Sequence, residues 1–253
     1  MKVLALSDLR GSTERVPQVV ELVRRKDLNA IVFCGNIIEE DERAQAYRGD
    51  VKLEPEVLEG LEKKAVEAYE AFYDELGELD VPVFVVPGLL DAPKRLYYQA
   101  TLNHEVVAPN IYMVHRSFAL PLQRRNLVVA GFGGGISDDP HLWELDMVQL
   151  YPSWLLEFGL DYLRHFEQDP MLVFHIPPTH GNLDLHNGER IGHRIIDHVI
   201  KTYRPRYAFV GAARDGQGTT TIGSTLVINP GWLKDGKYAT LDIRSDEVEF
   251  GQL

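Results

Sequence analysis

The chain is short of cysteine, of basic charge and of long apolar runs, and each shortage removes a class of protein. Cys34 is the only cysteine among 253 residues, so no intramolecular disulfide can form. Lysine and arginine number 26 against 38 aspartates and glutamates, a formal charge of −12. A phosphate backbone is gripped by clustered basic side chains, so non-specific nucleic-acid binding is not expected, although a local basic patch stays open. No apolar stretch approaches the roughly 20 residues that span a bilayer. The start, Met1-Lys2-Val3-Leu4-Ala5-Leu6, enters a strand-like run without the apolar region of a signal peptide. No membrane partner is expected, and cytoplasmic is the simplest localisation. Missing too are a phosphate-binding P-loop, a dinucleotide fingerprint after Gly131-Phe132-Gly133-Gly134-Gly135, and a nucleophile elbow.

What is present is an ordinary globular composition, 45% hydrophobic and 25% charged, on a length suited to one domain with a large core. Short β-branched runs at Val3–Leu6, Ala30–Cys34 and Val81–Val86 alternate with helical periodicity. Val16, Val19, Val20 and Val23 recur at helical spacing, with Ser12 or Thr13 placed as a cap. Val57, Leu58, Leu61, Ala65, Ala68, Phe72 and Leu76 mark the inner face of a longer helix. Residues 39–59, with eight acidic and three basic side chains, read as an exposed polar insertion. Further strands are expected near residues 111–114, 118–120, 127–130, 171–175, 207–210, 219–222, 226–229 and 238–243, with helices over 153–166 and 190–203. This order predicts an α/β fold in which two mixed sheets pack face to face between outer helices, a four-layer α/β/β/α sandwich in one domain over 1–253.

Five turns follow these strands: Ser7-Asp8-Leu9-Arg10, Gly35-Asn36-Ile37-Ile38-Glu39, Pro87-Gly88-Leu89-Leu90-Asp91, Phe174-His175-Ile176-Pro177-Pro178 and Val210-Gly211-Ala212-Ala213-Arg214. Functional groups of open α/β sheets gather at such strand ends. In order, spacing and flanks the turns resemble the motifs of the calcineurin-like metallophosphoesterase superfamily: D-x-H, G-D-x-x-[DE], G-N-H-[DE], a lone His and G-H-x-H. The resemblance is to a divergent prokaryotic branch with altered turns. It implies the α/β/β/α sandwich and a site built for two metal ions, which polarise a phosphoryl oxygen and supply a hydroxide.

Residue by residue, the resemblance leaves Asp8 and His175 as unaltered ligand positions, with Asn36 where the family has a bridging aspartate. Arg10 and Arg214 stand in place of histidines, and Leu89 and Leu90 in place of a ligand asparagine and a catalytic histidine. Asp91 matches a residue that orients that missing histidine. Arginine cannot deprotonate to serve as a ligand, and its fixed charge repels a dication. One expectation is therefore that Arg10 and Arg214 take the place of metal charge and pair with Asp8; the alternative is that they swing into solvent. Free guanidinium donors suit phosphate or carboxylate, so the sharper expectation is an anion site formed by Arg10, Arg214, Asn36 and His175.

Three functions stay open. The first is a non-hydrolytic phosphate-binding or regulatory module with no cofactor and no catalytic residue. The second is a phosphoesterase with a residual or rebuilt site on Asp8, Asn36 and His175 holding Mn, Fe, Zn or Ca, for which His180 and His186 are candidate replacement ligands. The third is a structural subunit forming a homo-oligomer through aromatic and leucine surfaces, with Trp143, Tyr151, Trp154 and Trp232 as candidate contacts unless they pack in the core. Leu89 and Leu90, which offer no general acid, favour the first or the third.

Overall fold

The computed structural model describes residues 1–49, 52–143 and 146–253. Its β-branched runs pair into two six-stranded mixed sheets. In the first, Lys2–Leu6, Ala30–Phe33, Val83–Val85 and Ile111–Met113 run parallel, and Lys237–Asp242 and Glu247–Gln252 continue antiparallel beyond Lys2–Leu6. In the second, Leu127–Phe132, Asp169–Phe174, Tyr207–Phe209 and Thr225–Asn229 are parallel, with Phe118–Ala119 and Gly218–Ile222 antiparallel at the edges.

Side chains alternate across a strand, and that alternation assigns each face to a layer. Val3, Ala5, Ala30 and Val32 meet Val129, Met171, Val173 and Phe209 in the core between the sheets. Their neighbours Leu4, Leu6, Ile31 and Phe33 face outward onto the helices Val16–Lys26 and Pro55–Gly77. On the other flank Val128, Ala130, Leu172 and Phe174 pack against Leu156, Ile196, Val199 and Ile200 of the helices Ser153–Gly159 and Arg194–Tyr203. The architecture is the four-layer sandwich.

Several local expectations are corrected. Neither Ser12 nor Thr13 caps the first long helix with its side chain; a 3-10 turn over Thr13–Arg15 leads into it instead. Val57 is 42% exposed, so the inner face of the second long helix begins at Leu61. The stretch 39–59 is not uniformly exposed, because a helix over Glu42–Gly49 buries Arg43, Ala44 and Ala46. Arg43 stays buried because it is paired: its Nε lies 3.0 Å from Asp41 Oδ2 and its Nη1 donates to the Ala92 carbonyl at 2.5 Å. Asp50 and Val51 of that stretch lie outside the described residues. The helix expected over 153–166 stops at Gly159 and continues as a 3-10 turn, Asp161–His165. The one expected from 190 begins at Arg194, where His193 Nδ1 accepts from Ile195 N at 3.2 Å.

Besides Glu42–Gly49, two elements of six or more residues carried no sequence expectation. The helix Lys94–Val107 buries Tyr97 and Thr101 but leaves Val106 83% exposed, so its apolar residues do not mark its inner face. The edge strand Glu247–Gln252 alternates charge with apolar side chains on a largely exposed ribbon. Among the described residues no helix is long and apolar enough to cross a membrane.

Candidate functional site

The five turns converge at the carboxyl ends of the parallel strands, and backbone bonds stitch them together: Asp8 N donates to Gly35 O at 2.9 Å and Gly211 N to His175 O at 3.0 Å. Asp8, Arg10, Asn36 and Ala212 all adopt left-handed backbone conformations, φ 55°, 49°, 63° and 61°. Such conformations are unfavourable for residues with a Cβ and persist where surrounding contacts over-determine them. The fit is close enough that a Cβ on Gly88 would lie 2.1 Å from both Asn36 N and Asn36 Oδ1.

At the centre is Asp8, fully buried. Its Oδ1 accepts from Asn36 Nδ2 at 2.8 Å and Arg10 Nε at 3.1 Å. Its Oδ2 accepts from Ser7 Oγ at 2.5 Å and Ala212 N at 2.9 Å. Four donors therefore occupy the lone pairs through which a carboxylate binds metal. The Asn36 amide is committed on both sides, since its Oδ1 accepts from Leu90 N at 2.9 Å. Leu90 is itself buried in the outer core.

His175 is buried, and its Nδ1 lies 2.7 Å from the Cys34 carbonyl oxygen. A carbonyl only accepts, so Nδ1 carries the proton and Nε2 carries a lone pair. Burial pushes the imidazole below its ordinary value, against the upward pull of Asp8, which favours the neutral ring. Burial, and then Asp8, raise the Cys34 thiol well above its usual range, so it is no nucleophile.

The two arginines part company. Arg10 pairs with Asp8, approaches Glu40 Oε2 at 3.5 Å and lays its guanidinium 3.8 Å from the Trp232 ring centre. Arg214 does not reach Asp8, which corrects the expectation that both pair with it. It forks onto Asp235 instead, Nε to Oδ2 at 2.7 Å and Nη2 to Oδ1 at 2.9 Å, with its side chain 46% exposed. Both guanidiniums nonetheless lie over Trp232, Arg214 at 5.4 Å. Trp232 is 8% exposed and donates from Nε1 to Ala212 O at 3.0 Å. The sequence placed Trp232 among candidate contact aromatics or core; it forms a wall of the site, and so does the hydroxyl of Ser7. Position gave the only signal for either: Ser7 adjoins Asp8, and Trp232 follows the Asn229-Pro230-Gly231 turn.

Asp91 has a role that motif matching misses. Its Oδ1 accepts from Ile37 N at 2.8 Å and Ile38 N at 3.3 Å, and its Oδ2 from Gly88 N at 2.7 Å and Asn36 N at 2.9 Å. Burial raises its pKa, and the N–H groups of Gly88, Ile38 and Ile37 oppose that rise. Since all four of these neighbours donate, a proton on either oxygen would face a donor, and the group is best held as carboxylate. Asp91 thus clamps the second turn to the third.

Of the histidines proposed as replacement ligands, His186 lies beside the site, its ring centre 5.3 Å from that of Trp232 and its Nδ1 3.4 Å from Arg214 N. His180 is 55% exposed and lies 3.8 Å from Asp197. Among the described residues no three His, Cys, Asp or Glu side chains converge as a metal-binding group. The donor set at Asp8 and Asn36 does not fit two dications, because both are saturated by protein partners and one partner is a fixed cation.

Comparison with known proteins agrees with this frame. The sequence pattern of the metallophosphoesterases of the calcineurin superfamily matches residues 1–253. A crystal structure of 30% identity covers 99% of this chain and 98% of its own, with a TM-score of 0.87. TT1561 of Thermus thermophilus is 28% identical over 99% of this chain and 98% of its own, with a TM-score of 0.78. A dimetal phosphatase from Danio rerio shares the fold alone, at 14% identity over 100% of this chain and 95% of its own, with a TM-score of 0.65. UPF0046 protein T07D4.2 of Caenorhabditis elegans is 32% identical over 105 residues, 40% of this chain. That match spans only 23% of the worm protein. Matched along its whole length and built on the same two-sheet frame, the chain belongs to the metallophosphoesterases of the calcineurin superfamily.

Proposed function

We propose that this phosphoesterase-fold protein is a non-hydrolytic module, cofactor-free, that binds a phosphate-like anion at the Arg10 side of the cleft. One observation carries the reading: both oxygens of Asp8 are taken by protein donors, one of them the Arg10 guanidinium at 3.1 Å. A buried carboxylate needs a compensating charge, and here a side chain supplies what a metal supplies in the family. Leu89 and Leu90 offer no proton at the leaving-group side. Arg10 spends one N–H on Asp8 and approaches Glu40 with another nitrogen. Its remaining donors, with those of Arg214 over the same tryptophan, suit the oxygens of phosphate.

Phosphate titrated into the chain followed by calorimetry tests this. Binding is expected for wild type and a fall of about tenfold or more for Arg10→Ala, about 1.4 kcal/mol at the least. Because Arg214 is held outward by Asp235, adding Arg214→Ala costs less than Arg10→Ala alone. Equal affinity in wild type and Arg10→Ala would remove the anion reading.

A second reading has its own support. Nε2 of His175 presents a lone pair with the ring fixed through Nδ1, which is how a metal-binding histidine is held. A residual phosphoesterase would have to draw Asp8 away from Arg10 to complete a site.

A further inference from the structure

We propose a second anion site, for a ligand carrying two or more linked phosphates, in the groove at the opposite pole of the sheets. This groove, about 660 Å³, is lined by residues at the amino ends of the parallel strands: Lys2 opens its strand, Asn29 and Pro82 precede theirs, and Leu122 lies before Leu127–Phe132. The five turns described above lie at the carboxyl ends. A five-residue strand spans about 15 Å, so one small ligand cannot touch both.

Charge singles the groove out. In a chain of formal charge −12, its lining holds the cations Lys2, Lys26, Arg124, Arg125 and Arg244 against the carboxylates Asp27 and Asp242. Lys26 lies 3.9 Å from Glu249. Among the described residues Lys2, Arg124 and Arg125 form no salt bridge, Arg244 lowers the Asp242 carboxyl through its backbone N–H and then its charge without a salt bridge, and all four cations are exposed. Asp242 is partly spent, since its Oδ1 accepts from Arg244 N at 3.0 Å. Like charges left unpaired on one concave surface repel each other, and a concave wall focuses their field. A single phosphate would meet one or two of them. A chain of phosphates can bridge cations contributed by both sheets, Arg124 and Arg125 from the second and Lys2 and Arg244 from the first. The volume falls in the range of small-molecule sites, and Pro82, Pro121 and Leu122 add an apolar wall that a nucleoside could use.

Calorimetric titration of the full chain with tripolyphosphate, and separately with ATP, at about 150 mM salt to suppress weak surface attraction is the test. Both ligands are expected to bind wild type. Both should weaken by about tenfold or more in Arg124→Ala/Arg125→Ala, and likewise in Lys2→Ala/Arg244→Ala. The same titrations on an Arg10→Ala background, which takes away the phosphate site at the other pole, should still show this binding and its loss on Arg124→Ala/Arg125→Ala, which keeps the two sites separate. Lys63→Ala/Lys64→Ala removes the same charge from an exposed helix face and should also bind as wild type. Tighter binding of ATP than of tripolyphosphate assigns a share to the nucleoside; equal binding assigns all of it to the phosphates. No binding to Arg10→Ala at millimolar ligand, an equal loss in Lys63→Ala/Lys64→Ala, or no further loss when Arg124→Ala/Arg125→Ala is added to Arg10→Ala overturns the proposal.

Discussion

Asp91→Asn is expected to destabilise the protein by about 3–6 kcal/mol, although it only exchanges one carboxylate oxygen for an amide nitrogen of similar size. Each oxygen of Asp91 accepts from two backbone N–H groups: Ile37 and Ile38 on one side, Gly88 and Asn36 on the other. Whichever way an asparagine amide turns, its NH₂ faces two buried donors and cannot accept from them. Hydrogen bonds to a charged group contribute about 1.5–3 kcal/mol each, and two are lost. Urea unfolding would measure the change. A loss below about 1 kcal/mol would show that the turns hold together without this carboxylate. The clamp gives Asp91 a structural role of its own, independent of any catalytic partner.

The second large effect concerns acid. His115 is buried, with its Nδ1 accepting from Gly133 N at 2.9 Å and its ring among those of Phe132 and Tyr151. Burial, then Arg116 and Lys94, pull its pKa down to about 3. An unfolded histidine titrates near 6.5. Between these values the unfolded chain binds a proton that the native chain refuses. Stability from this group is therefore intact above about 6.5 and falls as pH drops toward about 3, with a limiting slope of about 1.4 kcal/mol per pH unit. His115→Phe abolishes that slope. At neutral pH it leaves Gly133 N without its acceptor and costs about 1–3 kcal/mol. Relative to wild type, however, the variant should gain about 2 kcal/mol between pH 7.5 and 5. A wild-type–variant difference that stays constant with pH would place the acid sensitivity elsewhere.

The frame was legible in the sequence because it rests on β-branched runs whose alternation fixes both faces of each strand. Val3 and Ala5 go to one core and Leu4 and Leu6 to the other, and a run apolar at every position is what a strand buried on both faces requires. The helix Lys94–Val107 was not legible, since its buried face is Tyr97 and Thr101 and its valines are exposed. At the site, motif position located Asp8, Asn36, His175 and Arg10 together. It also grouped Arg214 with them, and there it misled, because Asp235, 21 residues further on, offers a bidentate partner that no motif records. The saturation of Asp8 by Ser7 Oγ and Ala212 N likewise depends on backbone placement in left-handed turns, which side-chain identity does not reveal.

The central claim is that Arg10 fills the role of a metal at Asp8. Titration of Mn²⁺ into the metal-free chain, read as bound metal per chain and as hydrolysis of a chromogenic phosphodiester, tests it most directly. Wild type is predicted to hold no stoichiometric metal and to show no hydrolysis, whereas Arg10→His/Asn36→Asp, which frees Asp8 and adds an imidazole and a carboxylate, is predicted to bind Mn²⁺. Stoichiometric metal in wild type, with hydrolysis abolished by His175→Ala, would contradict the account.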